Sequence, residues 1–132
     1  MRTVLADHDI EGLAELLWGI LAQEGWLTLI PLELLYFQRV GLPIDSQDRE
    51  IWRFAQTHHL VLLIANRNME GEHSLEQTLR EENIMTSLPI LTISNPQRLS
   101  AEKIYREQCA ERLVEVLLDL ENYLGAGQIF IP

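Results

Sequence analysis

The chain has 132 residues, 47% of them hydrophobic, a single cysteine and a formal net charge of -10. That length builds one domain with a real core and is too short for two, no apolar run is long enough to span a bilayer, and a lone Cys109 in a helical pattern cannot close an internal disulfide. The acidity excludes a protein that holds nucleic acid by a general basic surface. Six of the acids, Glu102, Glu107, Glu111, Glu115, Asp119 and Glu121, crowd the C-terminal segment, which leaves room for a local basic rim of Arg49, Arg53 and Arg67.

In chain order, Thr3 to Ala6 is a short apolar run stopped by Asp7 and reads as a strand. Asp7 also comes too early for a signal-peptide core, so a cytoplasmic protein is expected. Ile10, Leu13, Ala14, Leu17, Ile20 and Leu21 recur at helical spacing, with Asp9 as N-cap and Gly25 as the stop. Trp26 to Ile30 reads as a second strand closed by Pro31. Leu32 to Val40 is apolar and fits either a short helix or a packed loop before the turn at Gly41 to Pro43.

Asp45 and Asp48 resemble a capping pair for a helix to Thr57, with Ile51, Trp52, Phe54 and Ala55 as its apolar stripe. His58 and His59 follow at its end, where the helix dipole favours positive charge. Leu60 to Ala65 then has the form of a strand buried on both faces of a parallel sheet, ending abruptly at Asn66, Arg67 and Asn68. A polar loop with Glu70 and Glu72 leads to Ser74 and Gln77, a capping box for a helix to about Asn83. Leu88 to Ile93 is a fourth strand, broken by Ser94, Asn95 and Pro96. Ser100 opens the longest helix, with Cys109, Leu113, Val116, Leu117, Leu120 and Leu124 on one face and Gly125 as its end. Gln128 to Ile131 completes a fifth strand. Strands alternating with helices predict a three-layer α/β/α sandwich on a mainly parallel sheet of four or five strands; right-handed crossovers, together with the family resemblance described below, imply the strand order two-one-three-four.

Ligands in such sheets bind at the carboxyl ends of the strands. Asp7, Asp48 in the first turn of the central helix, Asn66 and Asn68 would meet there, with Glu70 and Glu72 near in sequence. Carboxylates converging from separate elements make an oxygen-rich pocket suited to Mg²⁺ or Mn²⁺ and to phosphoryl chemistry. Helix capping is the plainer role for Asp7, Asp9 and Asp48.

Three stretches, Asp7 leading into its helix, Ser46 to Ala55, and Leu60 to Met69, resemble the small bacterial stand-alone PIN-like domains. The likeness covers residues 2 to 93, and its helix-strand portion is the most specific part. It implies a PIN-like nuclease fold, Asp7 and Asp48 as metal-binding acids, RNA as substrate, and a toxin-antitoxin setting with a protein partner. The family has an Asp pair at the end of the buried strand, where this chain has Asn66 and Asn68. An amide oxygen still coordinates a hard cation but brings no charge, which weakens binding.

Three functions follow. The first is a Mg²⁺- or Mn²⁺-dependent ribonuclease in which Asp7, Asp48, Asn66 and Arg67 act, with Glu70 or Glu72 as an auxiliary acid ligand. The second is a non-catalytic PIN-like module that binds a partner. The third is a receiver-like signalling domain, which would want an acceptor Asp where Asn66 stands and a Lys after its last strand, whereas the only lysine is Lys103. The apolar Leu32 to Phe37 stretch and Trp18, Trp26 and Trp52 further predict self-association or a protein partner.

Overall fold

A computed structural model describes residues 2–65 and 74–132. The protein is a three-layer α/β/α sandwich around one sheet of five parallel strands. These are β1 (Arg2–Ala6), β2 (Leu32–Tyr36), β3 (Val61–Ala65), β4 (Ile90–Ile93) and β5 (Gln128–Ile131), in the order β2-β1-β3-β4-β5. β1 pairs with β2 from Arg2 opposite Leu32 and with β3 from Val4 opposite Val61. The predicted order two-one-three-four is thus present, with β5 added beyond β4.

The period-two alternation of a strand divides the core in two. Val4, Ala6, Val61, Leu63, Leu91, Ile93, Ile129 and Ile131 face α1 (Glu11–Gln23) and α7 (Lys103–Leu118). Leu5, Leu62, Ile64 and Ile90 face α4 (Asp48–Thr57) and α5 (Leu75–Glu82). Trp52 belongs to this second cluster, and Trp18 and Trp26 pack half-buried on the first, so the tryptophans serve internal packing.

The second strand is not where the sequence pattern puts it. Gly25, at φ 83, ends α1, and Trp26–Leu29 forms a one-turn helix, α2; the strand is Leu32–Tyr36, and Phe37–Val40 is another one-turn helix, α3. Pro31 flanks the strand's start instead of closing a strand, because a missing N–H is harmless there. Its carbonyl accepts the Arg2 N–H at 3.1 Å.

Three helix starts also differ from expectation. Asp9 lies inside a 3₁₀ turn, His8–Ile10, that precedes α1. α4 begins at Asp48, not Asp45, since Asp45 belongs to the turn before it. Ser100 lies within a short α6 (Pro96–Ala101) capped by Asn95, whose Oδ1 accepts the Arg98 N–H at 3.0 Å, and α7 starts afresh at Lys103. α7 ends at Leu118; Gly125, at φ 80, serves the later turn into β5, where a Cβ would sit 3.0 Å from the Met85 backbone. Half of the Ser74 box forms: Ser74 Oγ accepts the Gln77 N–H at 3.2 Å, but the Gln77 side chain donates to Glu81 at 2.7 Å.

α4 closes with hydrogen bonds from Leu60 N–H to Ala55 and from His59 N–H to Gln56, a Schellman motif that places His59 at its left-handed position with φ 56. Glycine usually holds that place, and a left-handed L residue costs about 1–2 kcal/mol. Allowing for the greater entropy of an unfolded glycine, His59→Gly is expected to stabilise the protein by roughly 0.5–1 kcal/mol, as read from a urea midpoint.

α4 and α5 are clasped by charge. Arg49 donates to Glu81 at 2.9 Å and to Glu82, and Arg53 donates to Glu82 at 2.8 Å. Hydrogen bonding holds both carboxyls below their ordinary range, from Gln77 and then Arg49 for Glu81, and from Arg53 and then Arg49 for Glu82. A lowered native pKa gives stability that is present above the unfolded value and lost as pH falls through the native one. The melting temperature is therefore expected to fall on acidification below about pH 4.5, and a double variant, Arg49→Met with Arg53→Met, should show a shallower acid slope in thermal melts.

Candidate functional site at the carboxyl edge of the sheet

In the order 2-1-3-4-5 the direction in which successive strands are added to the sheet reverses at β1 and β3, and the crevice beyond their carboxyl ends is where doubly wound folds take ligands. Asp7 leaves β1 at that point. Its N–H donates to the Leu63 carbonyl at 2.9 Å, and its carbonyl accepts the Ile10 N–H at 3.1 Å, closing the His8–Ile10 turn. The side chain makes no capping bond to that turn, and the residue is only 6% exposed. By strand alternation it continues the face of Leu5, which is the face of α4 and α5.

Because α4 and α5 run antiparallel to the strands they join, their N-termini lie at the same edge. Asp48 occupies the first turn of α4, where the dipole favours an acid. Its Oδ2 accepts the N–H of Leu75, the first residue of α5, at 3.2 Å. Asp48 therefore ties one helix to the start of the next, beyond the first-turn role that its position alone suggests.

Asn66, Arg67, Asn68, Glu70 and Glu72 lie outside the described residues; Asn66 directly follows Ala65, the last residue of β3. The structure thus brings Asp7 and Asp48 to one edge and one face. It removes Arg49 and Arg53 from the expected basic rim, since both are engaged by Glu81 and Glu82. Among the described residues no group of three or more His, Cys, Asp or Glu side chains is placed to hold a metal ion.

One feature of this edge escaped the sequence. Tyr36 ends β2 opposite Ala6 and, with Glu11, Gln38 and Arg39, lines a cavity of about 410 Å³. Its hydroxyl donates to Glu15 at 3.3 Å, and burial, reinforced by the Glu15 carboxylate, pushes its pKa up to about 12. With the second strand placed at Leu32–Tyr36, Tyr36 is a strand-end residue like Asp7; with it placed at 26–30, it is not.

Cys109 is fully buried, its thiol donates to the Ile131 carbonyl at 3.5 Å, and burial raises its pKa to about 11. It is an inert core thiol.

No family model, no curated protein and no solved structure matches the chain. No helix among the described residues is long and apolar enough to cross a membrane.

Proposed function

We propose that the protein is a weak, degenerate PIN-like nuclease that holds Mg²⁺ or Mn²⁺ at the β1/β3 edge and acts on RNA. The reading is carried by Asp7, a carboxylate 6% exposed at the switch point of the sheet. A buried acid at a ligand-binding edge is a functional-site candidate. The N-termini of α4 and α5 at the same edge favour a phosphate group nearby.

Two carboxylates, Asp7 and Asp48, together with the amide that the sequence supplies at Asn66, would give an oxygen-donor set that a hard cation accepts. That set is short of charge. One Asp48 oxygen already serves the Leu75 N–H, and the neutral amides at 66 and 68 add none. A bound cation would supply Lewis acidity toward a phosphodiester. Asp7 would hold it, Asp48 would hold it or fix the helix start beside it, and Arg67, Glu70 or Glu72 would act from the loop.

The test is cleavage of a single-stranded RNA in Mn²⁺ and in chelator. Slow, Mn²⁺-dependent cleavage that vanishes in Asp7→Asn supports the reading. Cleavage unaffected by Asp7→Asn, or its complete absence at high Mn²⁺, removes catalysis.

A second reading, a non-catalytic PIN-like module that binds a protein partner or a second copy in the cytoplasm, is favoured by the Asp48 to Leu75 hydrogen bond, which gives Asp48 a structural task. The edge strand β2, with Leu32, Leu34 and Leu35 only partly buried, offers a surface for it. Light scattering that shows a strict monomer at high concentration removes the second copy.

A further inference from the structure

Nine large hydrophobic side chains are exposed among the described residues, and five of them, Leu29, Ile84, Met85, Leu118 and Leu124, belong to segments at the amino edge of the sheet, the far end of the strands from Asp7. The returns of the chain to β2, β4 and β5 each leave apolar residues outside: Leu29 precedes β2, Ile84 and Met85 precede β4, and Leu118, at the end of α7, and Leu124 precede β5. Apolar residues exposed singly are ordinary, but a gathering at one end of a domain marks an interaction surface.

The five form two lobes joined at a pair of charges. On the side of β2, Leu118 and Pro31 share a depression with Arg2, and Leu29 lies two residues before Pro31. Toward β4 and β5, Ile84 and Leu124 share a second depression with Arg2 and Glu121, and the Met85 backbone lies against Gly125. Arg2 thus stands between the lobes, with its Nη2 3.5 Å from the Glu121 carboxylate. The five together expose about as much as three whole side chains, roughly 500 Å² of apolar surface, near the top of the range for the largest patch on a monomer. A stable pair of proteins buries about 800 Å² on each side, somewhat over half of it apolar. The apolar share of such an interface is what this end supplies.

The charges select the occupant. One cation and one anion side by side, between two apolar lobes, are self-complementary about a two-fold axis lying in the interface: each lobe meets the opposite lobe of a second copy, Arg2 meets the partner's Glu121, and Glu121 meets the partner's Arg2. Within one chain the pair is long and its side chains are 42% and 67% exposed, so it contributes little there and gives up little on exchange. The edge of β2 is a poorer candidate, since Leu32, Leu34 and Leu35 are each partly buried.

We propose that the amino edge is a self-association surface on which two copies of this chain pack end to end about a two-fold axis, with the five apolar side chains in its interior and Arg2 exchanged onto the partner's Glu121. Asp7 and the carboxyl edge then lie at the two far ends of the pair, clear of the interface. The surface stands whether or not the protein is a nuclease.

Sedimentation of the purified chain from micromolar to millimolar concentration tests it. The native protein is expected to rise from the mass of one chain to that of two and no further, because a two-fold pair is closed. Met85→Glu and Leu118→Glu, one in each lobe and both at exposed positions that accept a charge without loss of the fold, should each weaken the pair by about tenfold or more. Ile44→Glu, at a residue 66% exposed just before α4 at the opposite edge, should leave it unchanged. Arg2→Glu should weaken the pair by setting like charges against each other across the axis, and adding Glu121→Arg should restore it. Circular dichroism checks that every variant is folded. A native protein that stays monomeric at the highest concentration overturns the proposal. So does a dimer that neither Met85→Glu nor Leu118→Glu weakens, which would move the interface to another surface, and a dimer indifferent to Arg2→Glu overturns the two-fold exchange.

Discussion

Asn66→Asp is expected to make the stability of this protein depend on divalent metal. In sequence the residue directly follows Ala65, the last residue of β3. A third carboxylate beside Asp7 and Asp48 repels them when no cation is present, so the variant should melt below the native protein in chelator. A cation that binds only the folded state then returns stability by mass action, about 2.7 kcal/mol when its concentration is a hundred times Kd. For a domain of this size that is a rise on the order of 10 °C. The native protein, with two acids, should respond far less. Thermal unfolding with and without Mn²⁺ measures both. A variant that ignores Mn²⁺ would mean that Asp7, Asp48 and residue 66 do not share a site. A large shift in the native protein that disappears in Asp7→Asn would mean instead that Glu70 or Glu72 already supplies the missing charge.

The other large effect concerns the strand on which the crevice depends. Leu63 is fully buried in β3, between β1 and β4, on the face that meets α1 and α7. Leu63→Ala removes three heavy atoms from a tightly packed place and should cost about 3–5 kcal/mol, against a total stability of about 5–15 kcal/mol for a typical domain. Leu29, in the α2 turn, is 76% exposed, and Leu29→Ala should change stability by no more than about 0.5 kcal/mol. Urea unfolding of the two variants compares them directly. Equal midpoints would contradict a central β3.

Four of the five strands were legible because each is a short apolar run that ends at polar or turn residues: Asp7, Asn66, Ser94 and the terminal Pro132. β2 was not. Two apolar pentads flank Pro31, and short runs of that kind carry no period that separates a helical turn from a strand. What decides between them is tertiary: Leu32 must begin beside Arg2 for the parallel ladder to form, and Gly25 lets the chain turn first. That misplacement hid Tyr36 and Arg39 from the carboxyl edge.

The site was legible as far as position within an element goes. Asp7 at a strand end and Asp48 at a helix start could be read directly, since both places follow from local pattern. Partnerships across long sequence distances could not. Arg49 looked like a rim cation because its partners, Glu81 and Glu82, lie more than thirty residues further along the chain, on a helix that comes alongside α4 only in the folded protein. The bond from the Leu75 N–H to Asp48 is of the same kind. His59 read as a surface or dipole-capping histidine, and its left-handed backbone emerges only with the Schellman bonds at the end of α4.

The most direct test of the carboxyl-edge site is anomalous diffraction from crystals of the native protein soaked in Mn²⁺. The site predicts a single partly occupied ion within coordinating distance of the Asp7 carboxylate, on the side facing the start of α4, and its loss in Asp7→Asn crystals. Manganese bound only elsewhere on the acidic surface, with none at Asp7, would contradict it.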